Sequence, residues 1–152
     1  MPEQVLIADT SCFIVLVKVN ELELLHKVYG EVTTTTDIAI EFGAVLPDWV
    51  TVKRVMNSDK QQAIEKQIDR GEASAIALAL ESPNSTVVLD DYKARKLAKS
   101  LGVRVTGTIG VIMRAKSKGI FSVIKPILEK IKETDFRLSE EIESQALRDV
   151  GE

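Results

Sequence analysis

Short apolar, β-branched runs alternate with stretches of helical periodicity along most of the chain. Residues 5–8 form an apolar run that stops at Asp9. Phe13, Leu16 and Val17 then recur at helical spacing, behind Thr10 or Ser11 as possible caps. The pattern predicts a second short helix over 21–29, ended by Gly30, and a weak strand over 32–35. A helix from about Thr36 or Asp37 carries Glu41, residues 43–47 break the pattern, and residues 50–55 alternate like an edge strand. Ser58-Asp59-Lys60-Gln61 has the spacing of a capping box for a helix reaching Ile68. Gly71 separates that helix from an alanine-rich one beginning at Glu72, whose small side chains suit close packing on a sheet.

Residues 86–112 hold the densest signals. A β-branched run over 86–89 reads as a buried strand and meets two adjacent carboxylates, Asp90 and Asp91. Ala94, Leu97, Ala98 and Leu101 stand at i, i+3, i+4 and i+7, and Gly102 closes that helix. Another short strand covers 103–105, Thr106-Gly107-Thr108 makes a turn, and a helix runs from about 108 to 118, ended by Gly119. Helices around 123–132 and from about Ser139 complete one domain over 1–152, with its C-terminal helices starting near 120. Strands alternating with helices predict a three-layer α/β/α sandwich around a mainly parallel central sheet. In that architecture strand C-termini and helix N-termini share one edge, where ligands bind.

Composition narrows the class. With 152 residues, 45% hydrophobic and 28% charged, the chain can bury a real core and is not of disordered type. Its longest uncharged apolar run, residues 11–17, is too short to cross a membrane, and no signal-peptide pattern opens it. Cys12 is the only cysteine, so an internal disulfide is excluded and the expected compartment is cytoplasmic. A net charge of -3 says little about partners, but its distribution says more. Residues 92–119 carry eight basic side chains and no acid, whereas residues 133–152 carry seven acids against Arg137 and Arg148. A basic run is commonly a solvated helix face. This one adjoins Asp90 and Asp91, as a polyanionic substrate would require, because acids alone repel phosphate.

On the predicted frame, Asp9 and Asp90-Asp91 end strands, Glu41 lies about a turn into one helix, and Glu72 opens another. Each has a purely structural role open to it: capping for the aspartates, complementing a helix dipole for Glu72, plain exposure for Glu41. Together they converge on one rim. Clustered carboxylates repel unless a cation sits among them, and oxygen donors without His or Cys suit Mg²⁺ or Mn²⁺. His26, the single histidine, has no acidic partner at ligand spacing and reads as a surface or core residue.

In this order, Asp9-Thr10-Ser11 after an apolar strand, Glu41, Gly71-Glu72 before an alanine-rich helix, Leu89-Asp90-Asp91 and the TGTIGV turn at 106–111 resemble the PIN domain. The likeness covers roughly residues 5–128 and is closest to the VapC-like ribonuclease toxins. It implies a PIN-like fold and metal-dependent endoribonuclease activity on RNA, with Mg²⁺ or Mn²⁺ as cofactor. It also implies an antitoxin protein as partner and a homodimer. Asp9, Glu41 and Asp91 carry over as metal-site acids, with Asp90 beside them. Many members have an Asp before the first Ala of a D-A-x-x-x-A pattern; Ser74 stands there, so Glu72 would have to substitute as the fourth catalytic acid. Thr10, Thr106 and Thr108 are candidates for phosphate contacts, and Lys93, Arg95 and Lys96 for the RNA backbone. Receiver and haloacid-dehalogenase folds want a second acid next to or just after the first-strand Asp, and Thr10-Ser11-Cys12-Phe13 has none. The alternative is a catalytically silent PIN-like module that binds protein or RNA.

Overall fold

The computed structural model describes residues 5–152. Strands β1 (Val5–Ile7), β2 (Val32–Thr35), β3 (Val50–Lys53), β4 (Ser85–Val88) and β5 (Val105–Thr106) form one sheet in the order β3-β2-β1-β4-β5. Every pairing among the described residues is parallel. Parallel neighbours need crossovers, and helices supply them. Helices α1 (Thr10–Lys18) and α2 (Leu24–Tyr29) join β1 to β2, and α3 (Thr36–Phe42) joins β2 to β3. Helices α4 (Ser58–Glu65) and α5 (Arg70–Glu81) return to β4, and α6 (Tyr92–Ser100) leads to β5. Helices α7 (Thr108–Ser117), α8 (Lys125–Lys132) and α9 (Glu140–Asp149) follow. This is a three-layer α/β/α sandwich, with the sheet wholly parallel.

The winding direction reverses between β1 and β4. From β1 the chain builds outward through β2 to β3, then returns to lay β4 on the other side of β1 and β5 beyond it. A crevice opens at such a switch point, outside the strand C-termini. The register Ile7↔Val87 brings Asp9 and Asp90, just past those two strands, to its two sides. Below it, Leu6, Ile7, Val87, Val88 and Leu89 are fully buried, as are Phe13 and Leu16 of α1. Helix α5 packs on β1, β2 and β4, and its buried Ala73, Ala75 and Ala77 let its backbone come close to the sheet.

Several boundaries differ from the sequence pattern. Strand β2, weak in sequence, is buried along its whole length beside the central strand; Thr34 donates its hydroxyl to the Ala8 carbonyl (2.8 Å), which offsets the cost of burying it. Neither Thr10 nor Ser11 caps α1: Asp9 does, accepting from Cys12 N at 3.0 Å. Helix α2 begins at Leu24 rather than 21. Helix α4 ends at Glu65, and its cap is Asn57, whose backbone N–H and that of Met56 are held by Glu81. The last strand sits later than 103–105, at Val105–Thr106. His26 stacks on Trp49 with ring centroids 5.2 Å apart, and its Nδ1 lies 2.7 Å from the Gly30 carbonyl oxygen. Among the described residues no helix is long and apolar enough to cross a membrane.

Candidate active site

Helix N-termini and strand C-termini meet at the switch point, and the acids with them. Asp9, Asp69 and Asp91 are the N-caps of α1, α5 and α6, each accepting a backbone N–H with its carboxylate. The positive ends of three helices therefore face one acidic rim, which lessens the repulsion among the carboxylates.

A narrow cleft of about 30 Å³, with room for little more than water or a small ion, is lined by Asp9, Thr10, Ser11, Glu41, Asp69, Gly71 and Glu72. Glu41 reaches it although the end of its helix is exposed: Thr10 donates its hydroxyl to Glu41 Oε1. Helix α5 leaves room through Gly71, where a Cβ would stand 2.9 Å from that same oxygen. Gly71 is thus not the break between helices that the sequence suggests. It lies in the first turn of α5, and its missing side chain admits Glu41.

Asp90 holds the other flank. It accepts from the Thr108 backbone N–H (2.8 Å) and hydroxyl (2.6 Å), while Arg95 Nη1 donates to the neighbouring Leu89 carbonyl (2.9 Å). A Cβ on Gly107 would be 2.9 Å from both Arg95 Nη1 and Asp90 Oδ1, so glycine is required for this approach. The donors that the sequence reading assigned to phosphate are accordingly used inside the site: Thr10 on Glu41, Thr108 on Asp90. Thr106 packs against Gly110 instead. Arg95 points inward and is half-buried, whereas Lys93 and Lys96 are exposed on α6.

The electrostatics follow from this crowding. Burial first, then the Asp90 charge, push the Asp9 carboxyl well above the usual carboxylate range, and Glu72 and Asp69 add to it. Glu72 is pushed up to about 7, by burial and then by Asp69, with Asp91 contributing. Burial raises Asp90 as well, against the opposing pull of Thr108 and Arg95. Cys12, wholly buried behind Asp9, has its thiol pushed up by burial and by Asp9, so it is no thiolate ligand.

Asp9, Glu72, Asp90 and Asp91 are therefore linked by charge, and Glu41 is linked to Asp9's neighbour Thr10 by a hydrogen bond. Asp69 belongs to the same group and was overlooked in the sequence reading. Its signal was present: Asp69-x-x-Glu72 has capping-box spacing, and Asp69 Oδ1 accepts from Glu72 N at 2.9 Å. Ser74 takes no part in the rim. It is fully buried, donates to the Gly71 carbonyl (2.7 Å) and shares a 2.7 Å hydrogen bond with the Thr35 hydroxyl.

The donor set suits a hard divalent cation: carboxylates only, three of them (Asp9, Glu72 and Asp90) destabilised as anions until a positive charge arrives. Among the described residues, however, no three His, Cys, Asp or Glu side chains stand close enough together to make a finished metal cage. Thr10, Thr108 and the helix N–H groups each draw one carboxylate aside, as expected of like charges spread apart.

A parallel α/β domain with acids gathered at its switch point holds its candidate site where such sheets bind ligands. A family model described as a PIN domain matches residues 5–152, and the chain belongs to that family, a nuclease-type fold. No curated protein matches the chain.

Proposed function

We propose that this chain is a metal-dependent endoribonuclease that hydrolyses RNA phosphodiester bonds, the VapC-like toxin of a toxin–antitoxin pair. The observation that carries the reading is Asp9, a buried carboxyl at the switch point pushed well up by burial and Asp90. A group so placed costs stability unless it meets a cation.

Asp9, Glu41, Asp90 and Asp91 would hold Mg²⁺ or Mn²⁺, which supplies an activated water and polarises the scissile phosphate. Glu72, with a carboxyl titrating near 7, can take a proton from an attacking water and return it to the leaving oxygen. The exposed Lys93 and Lys96 bind the RNA backbone, while Arg95 keeps Leu89 and Asp90 in place. The cytoplasm suits a chain with one buried free thiol. A homodimer is part of the reading through the family likeness alone. The spread of the carboxylates supports a second reading, a silent PIN-like module that binds RNA or protein.

A Mn²⁺ titration separates the two. Under the first reading Mn²⁺ raises the melting temperature of the wild type, by about 2.7 kcal/mol of stability at a hundred times its Kd. It leaves Asp9→Asn unmoved, and RNA cleavage requires the metal and is lost in Asp9→Asn. An equal thermal response in both proteins would overturn the site. An antitoxin that places an Arg among Asp9, Glu41 and Asp91 should compete with millimolar Mn²⁺. Binding indifferent to Mn²⁺ would put that partner on another surface.

A further inference from the structure

A cavity of about 430 Å³ opens directly outside the carboxylate rim, within the range of about 300–1,000 Å³ usual for ligand pockets. Asp90 and Gly107 of the rim form one wall. Opposite them the segment after α8 and helix α9 bend back, so that Phe136 and Leu138 face Ile109 and Met113 of α7 across the space. All four pack against the main core and keep part of their apolar surface exposed. Tyr92, the first residue of α6, stands at the edge with 78% of its surface exposed, and the guanidinium-bearing Arg137 lines the same edge.

We infer that this cavity is a base-binding subsite, taking the nucleobase of single-stranded RNA next to the phosphate held at the rim. The inference rests on the ribonuclease reading. A splayed base offers an apolar π-face, which stacks on aromatic side chains and packs on aliphatic ones, and it brings a phosphate that needs a cation. The cavity supplies Tyr92 and Phe136 for the face and Arg137 for the charge, with the acids Asp90 and Asp149 in the same lining. Tyr92 and Arg95 of its lining belong to α6, the helix whose exposed Lys93 and Lys96 attract a polyanion; a hydrophobic protein segment would have no use for those charges. The narrow cleft among the acids cannot hold a base, so chemistry at the rim and reading of the base fall to two adjoining spaces.

Methyl NMR in EDTA tests this without cleavage. The probes are the four nucleoside monophosphates, ribose 5-phosphate, a pentanucleotide RNA, and indole as a stand-in for a protein aromatic side chain. At least one nucleotide should shift the Met113, Ile109 and Leu138 methyls saturably, ribose 5-phosphate should not, and the pentanucleotide should bind at least tenfold tighter than its mononucleotide. Ile142→Trp, which fills the mouth from a half-exposed position, should weaken nucleotide binding tenfold or more with the remaining methyl spectrum unchanged. Tyr92→Ala should weaken it several-fold. Shifts confined to the rim and α6, tight binding of indole without any nucleotide, or a mononucleotide that binds as tightly as the pentanucleotide would each overturn the subsite. Asp9→Asn should still bind the base, so an equal Mn²⁺ response in Asp9→Asn and wild type would sink the ribonuclease reading separately from this one.

Discussion

Glu72 and Ser74 lie two residues apart on α5 and serve opposite ends of the problem. About 200° separates them around a helix, so one reaches the rim and the other goes under it. The Glu72 carboxyl, pushed up to about 7 from an unfolded value near 4.5, binds more proton in the folded chain than in the unfolded one between those limits. Stability of the metal-free protein therefore falls as pH rises from about 4.5 to 7, and Glu72→Gln flattens that fall; thermal melts in EDTA across this range check it. Asp9 pulls the same way, so the variant should keep part of the slope, and an unaltered slope would remove Glu72 from the rim. Ser74→Ala, by contrast, takes a buried partner from the Thr35 hydroxyl and should cost about 1 kcal/mol in denaturant melts. Its cleavage rate should stay close to wild type, while Glu72→Gln loses most activity. Full activity in Glu72→Gln would leave a site that works without this carboxyl.

At the scale of elements, α6 has two faces with different work. Lys93 and Lys96 project to solvent; Arg95 turns back to the Leu89 carbonyl, against Gly107. The double variant Lys93→Ala/Lys96→Ala should lower the salt dependence of RNA binding by about 1.4 in slope, at ~0.7 per single-strand contact. Its melting temperature should hardly change, because exposed charges contribute little. Arg95→Ala should instead destabilise the fold by about 1–2 kcal/mol, since it strips a donor from a half-buried corner. Filter binding at several salt concentrations, with melts beside it, distinguishes the two roles. An unchanged slope in the double variant would make that face merely solvated.

Across the whole molecule, stability is uneven. β1, β2 and β4 lie in the interior, where the buried Thr33 hydroxyl of β2 has no hydrogen-bond partner among the described residues, but α9 buries only Ala146. What ties the end of the chain down is Glu152, whose carboxylate receives the N–H groups of Ile124 (2.8 Å) and Lys125 (3.2 Å) and pairs with Lys116 (2.9 Å). It acts as the side-chain cap that α8 lacks at Ile124. Hydrogen exchange should show α9 opening well below the global free energy, and Glu152→Ala should reduce protection in α9 and the first turn of α8 only. A uniform loss of protection in β1, β2 and β4 would show that this corner is integral to the core.

Sequence alone determined the class of fold, because apolar runs of strand length alternating with helical stripes leave few ways to bury both. It determined the order of the acids at strand ends, and with them the likeness to the PIN domain. Adjacency in the chain also marked the basic run beside Asp90-Asp91. Tertiary structure decided what each polar group meets. Asp69 entered the rim because α5 starts there and not after Gly71, a glycine needed for the approach of Glu41 rather than for a break. Thr10 and Thr108 became partners of carboxylates, and Arg95 a partner of Leu89, because donors near buried acids are drawn inward by charge. The cavity beside Asp90 arose from residues more than forty positions apart, joined when α9 folds back on α7. Local pattern encodes periodicity and caps; which side chains share a space across the sheet is set only when the strands take their order.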